Sequence, residues 1–213
     1  MQYLRLDILL NLSIIIPALV GIYVFNAVKK EYRYFIIAIL VGALNEFNAE
    51  FQWTHYFIFD FIYTVLSTQL TLYLYFIWDT EKIASTKKIL LHLVVLVLVL
   101  YDQYYDYLSI YHIKWAYILC NIGISFYGIR LLTQSQNNLM REKENLTRKL
   151  IIIPYMVFSI YYTAINILMH FLFNADTKDV FLNLYNVIRW INFLSYIAYT
   201  LALLWAPKRE KFL

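Results

Sequence analysis

"YFIIAILVGALNEFNAEF" (residues 34–51) decides how the chain is read. Its first ten residues are uncharged and apolar, with no alternation of period two, which marks a helix sunk in an apolar medium. The last eight residues then bring Asn45, Glu46, Asn48 and Glu50 into the same segment. Either the helix ends there, or polar chemistry is held at membrane depth. Glu50 is expected at the membrane surface, merely solvated. Asn45, Glu46 and Asn48 remain within the span and spread too far round the helix to face lipid together, so some must point into a bundle.

The rest of the chain has the same character. Of its 213 residues, 62% are hydrophobic and 15% charged, with a mean hydropathy of +0.58. Soluble domains average about 45–50% apolar and about 25% charged. One water-soluble core cannot hide that much apolar surface, so lipid is part of the solvent. Only helices and closed barrels satisfy their backbone groups in lipid, and the long continuous runs select helices. The expected fold is an all-α integral membrane protein, a single domain over 1–213 built as a seven-transmembrane-helix bundle. Its spans are about 7–28, 34–52, 56–78, 88–106, 109–132, 150–173 and 180–206, each near the ~20 residues that cross a bilayer. The fourth span is the weakest, because its strongly apolar part is short and "DQYYDY" must form its outer end.

Charge placement sets direction. Lys29, Lys30 and Arg33 follow the first span, and Lys82, Lys87 and Lys88 the third. Arg130, Arg141, Lys143, Arg148 and Lys149 follow the fifth, and Lys208, Arg209 and Lys211 the seventh. These are 14 of the 18 basic residues, all at alternate connections. Short-loop Lys/Arg bias marks the cytoplasmic face, so the N-terminus is expected outside and the C-terminus inside. A net charge of +4 spent in this way does not suggest nucleic acid. A composition rich in Ile, Leu, Tyr, Asn and Lys fits an AT-rich bacterial genome, hence a multi-pass protein of the bacterial cytoplasmic membrane. The polar connection at 133–149 reads as a solvated linker or helical extension, with docking of a cytoplasmic partner as the alternative.

Ionisable residues inside spans are expensive, so they face inward and find partners. Glu46 and Arg189 are the deep opposite charges, and spans two and seven could bring them to similar depth. Around them, Asp60, Thr64, Ser67, Thr68 and Thr71 recur at helical spacing in span three. Ser159, Thr163, Asn166 and His170 do the same in span six, and Asn183, Asn186, Arg189 and Asn192 in span seven. Residues three and four apart share a helix face. A polar chamber opening outward is the economical reading, with Glu46, Arg189, Asn45, Asn48, Asp60, Thr64, Asn166, His170 and Asn186 as candidate ligand-binding residues. Interhelical hydrogen-bond glue, worth about 0.6 kcal/mol per contact on average, would produce similar patterns.

Other chemistries have weaker support. His55, His112 and His170 lie near the outer boundary without the i, i+4 spacing of a helical metal pair, so no metal is expected. Cys120 stands alone and cannot form an internal disulfide. With four glycines there is no phosphate-cradling loop. Pro17 and Pro154 are expected to bend spans one and six. Seven helices with the N-terminus outside resembles rhodopsin-like topology, yet 180–206 has no lysine to hold retinal, and no cofactor is expected. The count also resembles sugar carriers of 3+1+3 helices, with the fourth span as linker but without their proline–glutamine motifs. Three functions follow. The first is a receptor-like or accessory sensor binding a small polar or anionic ligand. The second is a small-solute transporter, and the third an intramembrane enzyme using Glu46.

Overall fold

The computed structural model describes residues 8–51, 56–79, 85–108, 115–137, 142–172 and 178–208. Among the described residues, seven named helices fall in the seven predicted stretches: α1 (Ile15–Val24), α2 (Lys30–Phe51), α3 (Tyr56–Trp78), α4 (Ser85–Leu108), α5 (Trp115–Asn137), α6 (Glu142–Leu172) and α7 (Lys178–Trp205). No strand is present among the described residues; one isolated bridge pairs Val28 with Lys208. Among the described residues, four stretches are long and apolar enough to cross a membrane: Lys30–Phe51, Phe61–Trp78, Glu142–Met169 and Asp179–Trp205. The apolar stretch Ile8–Val24 is shorter. α4 and α5 have comparable lengths, 24 and 23 residues, and carry long apolar runs of their own.

Local chemistry explains the helix ends. Pro17 has no N–H to give the carbonyl of Ser13 and its ring crowds that turn. The helical run from Ile8 is accordingly interrupted at Ser13–Ile14 and restarts as α1, with the Ser13 hydroxyl donating to the Leu10 carbonyl. α6 instead stays helical through Pro154. Glu31, Glu142 with Glu144, and Asp179 stand in the first turns of α2, α6 and α7, where a carboxylate complements the helix dipole.

The helices close into a ring in chain order, α1 through α7 and back to α1, with α3 also packing across to α5. α1 and α2 approach closely through glycine. A Cβ on Gly21 would lie 2.9 Å from Ile36 Cγ2, and one on Gly42 3.0 Å from Ile14 Cδ1. The main core lies toward one end of the ring, around Val28, Tyr32, Ile36, Tyr75, Trp78, Ile152 and Leu203. α4 is peripheral. It packs on α3 and α5 through Val95 and Val99 and leaves Ile89, Leu90, Val97 and Tyr104 exposed. Large apolar side chains cover the outside of the ring on every helix, as a bundle in lipid requires.

The alternate basic connections meet at one end. Lys29 N–H donates to the Pro207 carbonyl at 3.0 Å, and Arg148 of α6 reaches the Trp78 carbonyl of α3 at 3.4 Å. Over 133–149 the helical-extension reading holds for the described residues, and the solvated-linker reading fails at Thr147 and Arg148. α5 runs on to Asn137 and α6 begins at Glu142, so Thr147 and Arg148 are buried bundle residues.

Candidate functional site

At the far end from the basic connections, α2 turns its amides inward. Asn45 and Asn48 are buried, and Glu46 is half-buried. Glu50 is not simply solvated: it accepts a hydrogen bond from Asn11 Nδ2 at 2.7 Å. On α7, Arg189 is half-buried and donates to Asn186 Oδ1 at 2.9 Å, with Asn186 itself exposed. The Phe35–Tyr199 ring contact, 5.1 Å between centroids, sets the register of α2 against α7. Moving away from the basic end, Glu46 is eleven residues beyond Phe35 and Arg189 ten beyond Tyr199. At the helical rise both lie about 15–16 Å from that contact, at the same level. Tyr196, on the face of α7 that carries Arg189 two turns away, lies within electrostatic reach of Glu46.

A second polar seam crosses α4, α5 and α6. Asp102, Asn121, Ser125, Ser159 and Thr163 are all buried, and Tyr155 OH donates to Asn121 Oδ1 at 3.5 Å. Asn45 Oδ1, Asn121 Nδ2, Ser125 Oγ, Ser159 Oγ and Thr163 Oγ1 are buried without a hydrogen-bond partner. Not every predicted polar residue joins them. Thr68 Oγ1 donates to the Thr64 carbonyl at 2.7 Å and Asn166 Nδ2 to the Tyr162 carbonyl at 2.7 Å, so these groups are spent inside their own helices. Thr64 is buried and Asn166 half-buried. Asp60 and His170 belong to α3 and α6, but their side chains lie outside the described residues, as do His55 and His112 entirely. Among the described residues no cluster of His, Cys, Asp and Glu could hold a metal.

The basic end holds chemistry that the sequence did not disclose. The Asp79 side chain, 0% exposed, receives the Tyr127 hydroxyl and lies 3.6 Å from Arg130. Beside it, Glu144 takes Arg148 at 3.0 Å and Lys29 at 3.2 Å. The Arg148 guanidinium also lies over the Trp78 ring, 5.4 Å from its centroid. Together these two ionic groups fasten the end of α3 to α5 and α6, and α6 to the start of α2. In sequence, Lys29, Arg130 and Arg148 read only as topological charge. The one available signal was Asp79, a carboxylate placed directly after the long apolar run of α3.

The geometry offers two zones: a half-buried acid and base in a level plane at one end, and a paired ionic closure at the other. No family model, curated protein or solved structure matches the chain.

Proposed function

We propose that this chain is a multi-pass protein of the bacterial cytoplasmic membrane, N-terminus outside. In this reading it holds a small polar or anionic ligand in the interior half opposite the basic end and acts as a receptor-like or accessory sensor. One observation carries the reading: in that half, Asn45 Oδ1 of α2, Asn121 Nδ2 and Ser125 Oγ of α5, and Ser159 Oγ and Thr163 Oγ1 of α6 are buried with no hydrogen bond. Each such group costs about 1–3 kcal/mol if left unmatched, so a ligand or its water is expected to complete them. Arg189 supplies a planar fork for a carboxylate or phosphate. Glu46 orients it in the empty state. The ligand touches α6 and α7, and the Arg148–Glu144 and Arg130–Asp79 contacts carry the response to the basic end.

The test is a thermal-melt panel on protein in lipid nanodiscs, using acetate, succinate and inorganic phosphate. At 100 times its Kd a ligand adds about 2.7 kcal/mol to the folded state. At least one anion should raise the wild-type melting temperature, and the rise should vanish in Arg189→Met. Equal shifts in both proteins would refute the assignment. A second reading draws on the peripheral position of α4, which suits a linker between two three-helix halves and hence a small-solute transporter. Flux of the same anion into proteoliposomes separates the two, because a sensor binds without transport.

A further inference from the structure

α1 and α7 enclose a groove of about 120 Å³ lined by Ser13, Ile16, Phe193, Tyr196, Ile197 and Leu201. It lies beside the Ser13–Ile14 interruption that precedes α1. Two hydroxyls in its walls already donate within their own chain segments: Ser13 Oγ to the Leu10 carbonyl and, from Thr200 in the same wall, Oγ1 to the Tyr196 carbonyl. Most of the remaining lining is hydrocarbon. An apolar cavity of about 150 Å³ stays dry and admits a benzene-sized molecule, so this groove fits a few carbons of chain and no more. Its rim, Ile16, Ile197 and Leu201, continues into the exposed Leu19, Leu194 and Leu204 of the same helices.

The level of the groove identifies what reaches it. Leu201 and Phe193 lie four and twelve residues from the basic end of α7, about 6 and 18 Å at the helical rise. That range runs from the acyl region of the leaflet on the basic side to about the bilayer midplane. Directly beyond the groove, the α1–α2 turn and the segment after α7 are held together by the Lys29–Pro207 hydrogen bond, with Lys30 and Lys208 exposed. We infer that the α1–α7 groove binds one anionic phospholipid of that leaflet, its tail carbons in the groove and its phosphate between Lys30 and Lys208. Tyr196, which forms part of the wall, also lies within electrostatic reach of Glu46.

The inference rests on the membrane reading, and the experiment separates the two. Protein is placed in phosphatidylcholine nanodiscs doped with phosphatidylglycerol carrying a mid-chain diazirine, photolysed, and mapped by peptide mass spectrometry. Label should fall on Ile16, Phe193 and Ile197 at about threefold excess or more over Leu90 and Val97. A contact of the size that holds helices together in lipid gives that ratio. Leu90 and Val97, 61% and 62% exposed, are as open as Ile16 at 56%, so exposure alone cannot produce the excess. The excess should disappear in Ile16→Trp, which fills the groove, and persist in Leu19→Trp beside it. Uniform labelling would overturn the site, as would equal excess with a diazirine phosphatidylcholine or cross-links between two copies of the chain at these residues. Absence of label on every helix would overturn the membrane reading itself.

Discussion

Replacing Arg148 by Met should weaken the bundle at its basic end. Arg148 is only 9% exposed. Its guanidinium holds Glu144 at 3.0 Å and the Trp78 carbonyl at 3.4 Å, and covers the Trp78 ring. A hydrogen bond to a charged group contributes about 1.5–3 kcal/mol, and a partly desolvated cation–π contact about 0.5–2 kcal/mol. Orphaning a buried charge entirely costs about 3–5 kcal/mol. Glu144 keeps Lys29 at 3.2 Å, and methionine keeps much of the apolar packing, so the loss should be about 2–4 kcal/mol. Arg148→Lys keeps the charge without the fork and should lose about 1–2 kcal/mol. SDS-driven unfolding in bicelles, followed by tryptophan fluorescence, gives these differences directly. A double-mutant cycle with Glu144→Gln should return a coupling of about 1.5–3 kcal/mol. Additive effects, or an Arg148→Met protein within about 0.5 kcal/mol of wild type, would show the guanidinium to be solvated and refute the reasoning.

Other perturbations test the rest of the molecule. In the same unfolding assay, Arg189→Met should destabilise by about 3–5 kcal/mol in the strongest case, and the double change with Glu46→Gln should recover part of it; additivity would refute their pairing. Gly21→Ala drives a methyl to 2.9 Å from Ile36 Cγ2 and should cost about 1–3 kcal/mol, whereas Gly123→Ala meets nothing within 4 Å and should stabilise α5 by about 0.5–1 kcal/mol. If the two alanine variants melt alike, the α1–α2 approach is looser than described. Asn11→Ala removes the 2.7 Å bond to Glu50 and should lose about 1–2 kcal/mol, with no further loss when Glu50→Gln is added.

The seven-helix architecture was legible because hydropathy is a long-range average that single side chains hardly disturb. The helix ends followed from local chemistry such as Pro17 and the first-turn carboxylates. The burial of Asn45 and Asn48 was legible for a similar reason, since a helix must turn some of its faces inward. Pairwise facts were not. Asn11 and Glu50 are 39 residues apart, and Lys29 and Glu144 115 apart, and no periodicity connects them. Arg148 was misjudged for a specific cause. A run of mixed charge looks the same in sequence whether its helix projects into water or folds onto a buried tryptophan, and only the contact with Trp78 decides.

The contact between Lys29 and Pro207, with the bridge from Val28 to Lys208, has a consequence for biosynthesis. The first turn between helices finds its backbone partners in residues translated only after every later helix has been made. Until then α1 lacks the neighbour on one flank, and the nascent chain is an open arc. A ribosome that stops before α7 therefore releases a product that cannot close its ring and keeps an unmatched backbone edge at the first turn.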